Sequence, residues 1–131
     1  MAGVLNVNVK STDIEISHKL KRRGNNSSPI IVKFLSHKLK TSLYKERVKL
    51  RNVKVTDLFP GYSNAVSSNV PRIFLNENLT VYRRELVSRA SEMKRDGLLT
   101  SFWTMDGKIF VKTSPGGNPV RIFSDYDLDK L

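Results

Sequence analysis

The stretch from Ser101 to Lys112, SFWTMDGKIFVK, constrains the fold more than any other part of the chain. Two short apolar runs flank Asp106-Gly107, which is the strongest short-range signal for a β-hairpin with a two-residue turn. Because such a turn sets the register of its two strands, Trp103 is expected opposite Phe110. The alternation of side chains then sorts the hairpin into two faces.

One face of this hairpin is predicted to join a core, and the other to mix aromatic and cationic side chains. The core face should pack on a helix over residues 81–96, with Thr80 as N-cap and Gly97 where a left-handed C-cap is expected. The core-face residues are Phe102, Thr104, Ile109 and Val111, and the helix residues are Tyr82, Leu86, Ala90 and Met93. The other face holds Trp103, Phe110, Lys108 and Lys112.

The pair Trp103 and Phe110 has two possible roles. It can stack on unpaired bases, a contact worth about 1–3 kcal/mol per base. It can also pack against the first half of the chain, because a large aromatic pair is costly to expose and two small half-domains need a contact between them. The cost of exposing the pair favours the second role, packing against the first half of the chain. Either role places the pair at a cleft between the two halves.

The chain before this hairpin alternates between strand and helix patterns. Residues 13–21 have period two, with Ile14, Ile16, His18 and Leu20 on one side, and residues 29–34 are β-branched, so a hairpin with a basic loop is predicted. Helical spacing follows over residues 36–51, with Ser36 as N-cap. Its apolar side is Leu39, Leu43, Tyr44, Val48 and Leu50, and Lys38, Lys45 and Lys49 fall on the other side.

The remaining segments complete an α+β prediction. Residues 60–69 read as a loop, residues 72–77 as a third strand and residues 120–123 as a strand after the hairpin. Ser124 and Asp127 resemble a capping box for a short last helix. The order is β-β-α-loop-β followed by α-β-β-β-α, which predicts helices covering one face of each of two antiparallel sheets.

Positive charge is concentrated in the first part of the chain. The formal net charge is +11, and residues 1–54 hold 13 Lys or Arg against 3 Asp or Glu, whereas residues 55–131 hold 10 against 9. So many charges of one sign destabilise a small domain by self-repulsion, and a solubility surface does not need them. The distribution indicates an anionic partner, most often nucleic acid.

Enzymatic chemistry finds little support in the sequence. Cysteine is absent, and His18 and His37 both lie among lysines, which suits neither a general base nor a metal site. Asp125, Asp127 and Asp129 alternate like calcium ligands but lack the following Gly and bidentate Glu. No glycine-rich phosphate loop occurs. We therefore expect no cofactor, no metal and no catalysis.

The location expected from the sequence is intracellular, in the cytoplasm, the nucleus or both. The amino-terminal residues have no basic segment leading into an apolar run, and no stretch approaches the length that spans a bilayer, so no membrane partner is expected. Residues 18–23, HKLKRR, can serve as a nuclear import signal or simply as a basic strand end and loop.

The order of several motifs resembles a known family. PIIVKF and a basic helix, then IFLNENLT, RREL, FWTMDGKIFVKT and VRIFSDYDLDKL, are similar to the carboxyl-terminal part of the baculovirus FP protein and to first-open-reading-frame proteins of LINE retrotransposons. The resemblance covers residues 13–131 and is most specific over residues 73–128. It implies an RRM-like portion, residues 1–77, and a small carboxyl-terminal domain, residues 78–131.

The resemblance implies non-enzymatic binding of nucleic acid, single-stranded RNA in preference to DNA, by a protein of the packaging and chaperone type. An arginine pair at the start of the carboxyl-terminal helix grips RNA in that family, and Arg83 and Arg84 match it. The predicted phosphate contacts are Lys19, Lys21, Arg22, Arg23, Lys38, Lys45, Lys49, Arg83 and Arg84, with Trp103, Lys108, Phe110 and Lys112 as further binding residues.

The chain also departs from the family pattern. The RRM-like portion lacks its first strand and helix, so residues 3–9 must replace the strand, or a second copy or a partner chain must complete an open sheet edge. The strand PIIVKF has only Phe34 as an aromatic, which argues against base-specific reading there. The alternative function is a protein-interaction module, derived from a transposon or virus, that no longer binds nucleic acid.

Overall fold

A computed structural model of the chain describes residues 5–21, 28–58 and 72–131. Over these ranges the protein is α+β, as predicted, with two small antiparallel sheets and four α-helices. The chain forms two compact units, Met1–Asn76 and Glu77–Leu131, called the first and second units below. The predicted loop at 60–69 lies outside the described residues.

The first unit contains the predicted hairpin. Strand β1 (Ile14–Lys19) pairs antiparallel with β2 (Ile30–Phe34), with a register shift between Ile14 and Ile16. Period-two alternation predicts one buried side for this strand, but Ile16 is 56% exposed and Leu20 is exposed as well. Alternation assigns side chains to faces, but burial needs a second layer packed on the face, and neither Ile16 nor Leu20 is among the residues that pack on the described core of this unit.

Residues 5–9 do not supply the missing strand. They form a turn and an irregular segment, in which Asn6 has a φ of 55°. Leu5 is nevertheless fully buried, and Val7 and Val9 pack on the core of the first unit beside Leu43 and Leu50. The segment therefore contributes apolar side chains to the core without backbone pairing, and the RRM-like arrangement is not confirmed.

The basic helix is shorter than predicted. Helix α1 is His37–Lys45, and the Ser36 hydroxyl accepts a hydrogen bond from the backbone N–H of Leu39 at 3.2 Å, as a cap should. The chain continues as a 3₁₀-helix, Glu46–Asn52, and then as α2, Val55–Leu58. Arg47 donates to the carbonyl of Tyr44 at 3.0 Å, which satisfies a helix-end acceptor.

This change of helix type alters which side chains are buried. Leu43, Tyr44 and Leu50 are buried as predicted, but Val48 is 55% exposed. A 3₁₀-helix has about three residues per turn rather than about 3.6, so the angular positions extrapolated from α1 no longer hold beyond Lys45.

Residues 72–77 are extended but do not form the predicted strand. Arg72 makes an isolated bridge with Lys54, and the following residues pair with no strand in the described part of the chain. Ile73 and Leu75 pack on the core of the first unit, while Phe74 between them is 76% exposed. The period-two pattern thus marks an extended chain with one side packed, and it does not by itself identify a hydrogen-bonded partner.

The second unit is built on helix α3, Val81–Arg95. The Thr80 hydroxyl accepts from the backbone N–H of Arg83, as predicted. Gly97, with a φ of 78°, ends the helix in a Schellman motif: its N–H donates to the carbonyl of Lys94, and that of Leu98 donates to the carbonyl of Met93. Both helix ends therefore lie where the sequence placed them.

The three-stranded sheet of the second unit has the order β3-β4-β5, with β3 Ser101–Met105, β4 Lys108–Lys112 and β5 Val120–Ile122. The predicted β3–β4 register is confirmed, from Ser101 opposite Lys112 to Met105 opposite Lys108. The turn residues Asp106 and Gly107 have φ values of 52° and 71°. Two left-handed residues in succession match the twist of the strands.

The core of the second unit lies between α3 and one face of this sheet. Its buried residues are Leu86, Ala90, Leu99, Ile109, Val111, Ile122 and Leu128, with Val87, Met93 and Phe102 partly buried against them. Tyr82, expected in this stripe, is 48% exposed. It lies in the first turn of α3, and its hydroxyl reaches the carbonyl of Phe123 at 3.4 Å.

The last helix, α4 (Asp125–Asp129), is joined to α3 by an ion-pair cluster. Ser124 and Asp127 form the predicted capping box. Glu85 lies four residues before Arg89 on α3, a spacing that favours an ion pair, but the Arg89 guanidinium binds Asp125, at 2.8 Å, and Asp129. The guanidinium is thus bound by two carboxylates of α4 and not by the single Glu85 carboxylate of α3.

Replacing Gly97 by alanine tests the C-cap of α3. The substitution should lower the free energy of unfolding by about 1 kcal/mol, because a Cβ disfavours the left-handed conformation. No atom lies within 4 Å of the position of the added Cβ, so the cost comes from the backbone alone. The matched control is Gly116→Ala, which has open space and no positive φ and should be neutral or slightly stabilising. Urea unfolding measures both, and equal effects would contradict this account.

Candidate nucleic-acid interface

The predicted contacts at the end of β1 are exposed. Lys19 is the last residue of the strand, paired with Ile30, and Lys21 follows it. Arg22 and Arg23 lie outside the described residues. Lys21 lies just beyond the strand, two residues after Lys19, so two exposed ammonium groups lie close together in the chain. A polyanion passing the end of β1 would meet both.

A second group of lysines follows α1. Lys38 and Lys45 are exposed and seven residues apart, which places them on one side of this helix. Lys49 lies in the 3₁₀-helix, so the single-helix alignment predicted for it is wrong. It shares a shallow depression with Lys45, which Asn6, Asn8 and Ser42 also line, and it forms an ion pair with Glu46. Lys49 is thus partly neutralised, whereas Lys38 and Lys45 take part in no ion pair with another described residue.

Arg83 and Arg84 are exposed in the first turn of α3. The Arg83 side chain extends over the hairpin turn, where its Nη1 atom lies 2.5 Å from the position that a Cβ on Gly107 would occupy. The backbone N–H of Gly107 donates to the Glu77 carboxylate at 3.2 Å. Gly107 is required by its positive φ, and the Arg83 guanidinium occupies the space that its missing Cβ leaves.

The sheet face opposite α3, called the outer face below, presents the aromatic pair. Trp103 lies directly across from Phe110, with ring centroids 5.8 Å apart and ring planes inclined by 17°. Lys108 and Lys112 are two residues before and after Phe110, so both belong to this face. The structure thus brings together all four residues that the sequence assigned to this surface.

Two residues of the outer face were missed by sequence reasoning. Arg121 in β5 lies across from Phe110, which extends the row over three strands. The Arg121 guanidinium carbon is 4.3 Å from the centroid of the Phe123 ring, and Phe123 is 62% exposed. Alternation within VRIF puts Arg121 and Phe123, the residue directly after β5, on one side of the chain. The pairing of β5 with β4, a tertiary contact, decides that this side continues the outer face.

The backbone of Phe123 is held by Asp127. The carboxylate accepts from the N–H of Phe123 at 2.8 Å and from that of Ser124 at 3.0 Å. These backbone hydrogen bonds, the Phe123 one foremost, lower the pKa of the Asp127 carboxyl below its ordinary value. The start of α4 therefore anchors the residue that contacts Arg121.

The described residues contain no group of three or more His, Asp and Glu side chains placed to hold a metal ion. Among the helices in the described part of the chain, none combines the length and the apolar character needed to cross a membrane.

Comparisons with protein-family models, with curated proteins and with solved structures found no match to this chain. The resemblance to the FP and LINE proteins therefore stays a prediction that rests on the order of the motifs.

Replacing Asp127 by asparagine tests whether its carboxylate holds the backbone of Phe123, through the pH dependence of stability. Folding lowers the pKa of this carboxyl, so its ionised form stabilises the protein at any pH above the pKa of the unfolded chain, about 3.9. The stabilisation is lost as the pH falls through the lower pKa of the folded protein. Asp127→Asn should therefore lower the melting temperature at neutral pH, and the difference should shrink below about pH 4. Glu92→Gln, whose partner Arg95 is 4.0 Å away, is the control and should change little at any pH. If the melting temperatures of Asp127→Asn and the unmodified chain differed by the same amount at every pH, this would count against the capping role.

Proposed function

We propose that this protein binds single-stranded nucleic acid, RNA in preference to DNA, without enzymatic chemistry. In this proposal it belongs with the packaging and chaperone proteins that its motifs resemble. The first unit is a reduced RRM-like portion, and the second is the small domain that follows it in that family.

The segregation of charge is the observation that carries this proposal. Of 23 Lys and Arg residues, 13 precede residue 55, where only 3 carboxylates accompany them. Lys19, Lys21, Lys38 and Lys45 are all exposed. Like charges held together on a small folded unit destabilise it, and a polyanion relieves that repulsion while it releases its own counterions.

The aromatic residues of the two sheets support different roles for these sheets. Phe34, the one aromatic residue of β2, packs on the core of the first unit and is not placed for stacking. The β1–β2 ribbon is therefore suited to phosphate contacts, which carry no sequence information. The sheet of the second unit is suited to base contacts, because Trp103 and Phe110 lie with cations on its outer face.

A protein-interaction module is the second candidate, and one observation favours it. Ile16, Ile30 and Leu35 are more than half exposed on or beside a ribbon that has two strands in the described residues. Such a ribbon offers open edges and apolar side chains to an added strand from a second copy or a partner. This function requires no affinity for oligonucleotides and predicts self-association or capture of a protein partner.

A salt titration of RNA binding tests the proposed function. Fluorescence anisotropy with a labelled single-stranded oligonucleotide should give a log–log slope near −0.7 for each phosphate contact. The double variant Lys38→Gln, Lys45→Gln should make this slope shallower by about 1.4.

The matched control is Lys10→Gln with Lys54→Gln, which removes the same charge from exposed positions outside the predicted contacts. It should leave the slope nearly unchanged. Equal slopes for the two double variants would refute the assigned contacts. A binding curve that does not respond to salt, or no binding together with oligomers in light scattering, would favour the interaction module.

A further inference from the structure

We propose that the outer face of the second unit is a base-stacking surface for unpaired nucleotides and that Arg121 and Phe123 belong to it. This inference rests on the proposed function and specifies where the bases bind. It adds two residues that neither composition nor motif assigned.

The three strands arrange the stacking groups in one row. Trp103, Phe110 and Arg121 occupy facing positions of β3, β4 and β5, and neighbouring strands lie about 4.8 Å apart. Trp103 and Phe110 are inclined by only 17° to each other. The row therefore presents adjacent, nearly parallel rings rather than isolated aromatics.

Arg121 contacts an aromatic ring before any ligand arrives. Its guanidinium lies over the ring of Phe123, and the backbone of Phe123 is held by the Asp127 carboxylate. A guanidinium that already favours this position loses less conformational entropy on binding than one without a neighbouring ring. It can stack on a base and meet a phosphate, which an ammonium group cannot do equally well.

The charges on this face select the class of ligand. Lys108, Lys112 and Arg121 surround the rings, and no strand position that faces outward is acidic. The outward positions are Ser101, Trp103, Met105, Lys108, Phe110, Lys112 and Arg121. A purely apolar partner would bury three cations without counter-charges, which is costly. A nucleotide strand offers flat apolar faces to the rings and phosphates to the cations, so it satisfies both sets.

Unpaired bases are required because a duplex hides their faces. Stacking platforms bind single strands with little sequence preference, since every base has a π-face. The outer face therefore selects single strands over duplexes without reading their sequence.

The single tryptophan of the chain makes this proposal directly measurable. We would titrate the full chain with an oligouridylate of about 15 nucleotides, within the range of single-strand sites. The anisotropy of a labelled strand and the Trp103 emission would be followed in parallel. The emission should be quenched along the same isotherm as the anisotropy. The corresponding duplex should bind more weakly and quench less.

Two variants separate stacking from charge. Trp103→Leu should weaken binding about fivefold or more, which corresponds to the lower end of one lost base stack. Arg121→Lys keeps the positive charge, and it should weaken binding by about two- to fivefold through loss of the planar cation. The control is Arg95→Lys, at an exposed position on α3 that is not part of the outer face, and it should bind like the unmodified chain. Circular dichroism and melting curves would verify that each variant is folded.

The outcomes distinguish this inference from the proposed function. RNA binding with unchanged Trp103 emission, or with unaltered affinity in folded Arg121→Lys, overturns the stacking surface and leaves the proposed function intact. No binding of any oligonucleotide overturns both. Quenching with weakened binding in both folded variants and normal binding in Arg95→Lys supports the stacking surface.

Discussion

The packing of α3 on one face of the three-stranded sheet is the contact on which the second unit depends. Leu86 and Ala90 share one buried cluster with Ile109, Val111 and Ile122, and burying each of the larger side chains stabilises the fold by about 1.5–3 kcal/mol. Because strand side chains alternate, burial of this set places the intervening side chains on the opposite face. The core thus positions a surface to which it contributes no residue.

The first unit has a smaller buried core and a larger net charge than the second unit. Leu5, Leu43 and Leu50 form its buried centre, and partly buried residues of the irregular segment 5–9, of β2 and of residues 72–77 pack against it. It also contains most of the excess lysine and arginine, whose mutual repulsion opposes a compact state. A small core and strong charge of one sign mean that, under the proposed function, a bound polyanion would stabilise this unit.

Local signals predicted the parts of the fold that are decided locally. The Asp106-Gly107 turn determines its hairpin register, Thr80 and Gly97 bound α3, and Ser124 with Asp127 starts α4. Each of these involves backbone groups within a few residues of one another. The predictions that were wrong concern features that depend on packing between residues distant in the sequence. The chain after Lys45 tightens into a 3₁₀-helix, residues 72–77 pair with no strand in the described part of the chain, and Ile16 is more than half exposed.

The sequence by itself determined the hairpin, the helix ends, the two faces of β3 and β4, and the imbalance of charge between the two parts of the chain. These follow from turn stereochemistry, capping hydrogen bonds, period-two alternation and residue counts, none of which needs a distant partner. Only the tertiary structure decided that β5 lies beside β4, that Arg121 continues the row of Trp103 and Phe110, and that Arg83 extends over Gly107. These contacts join residues far apart in sequence, and their free energy depends on how the core packs.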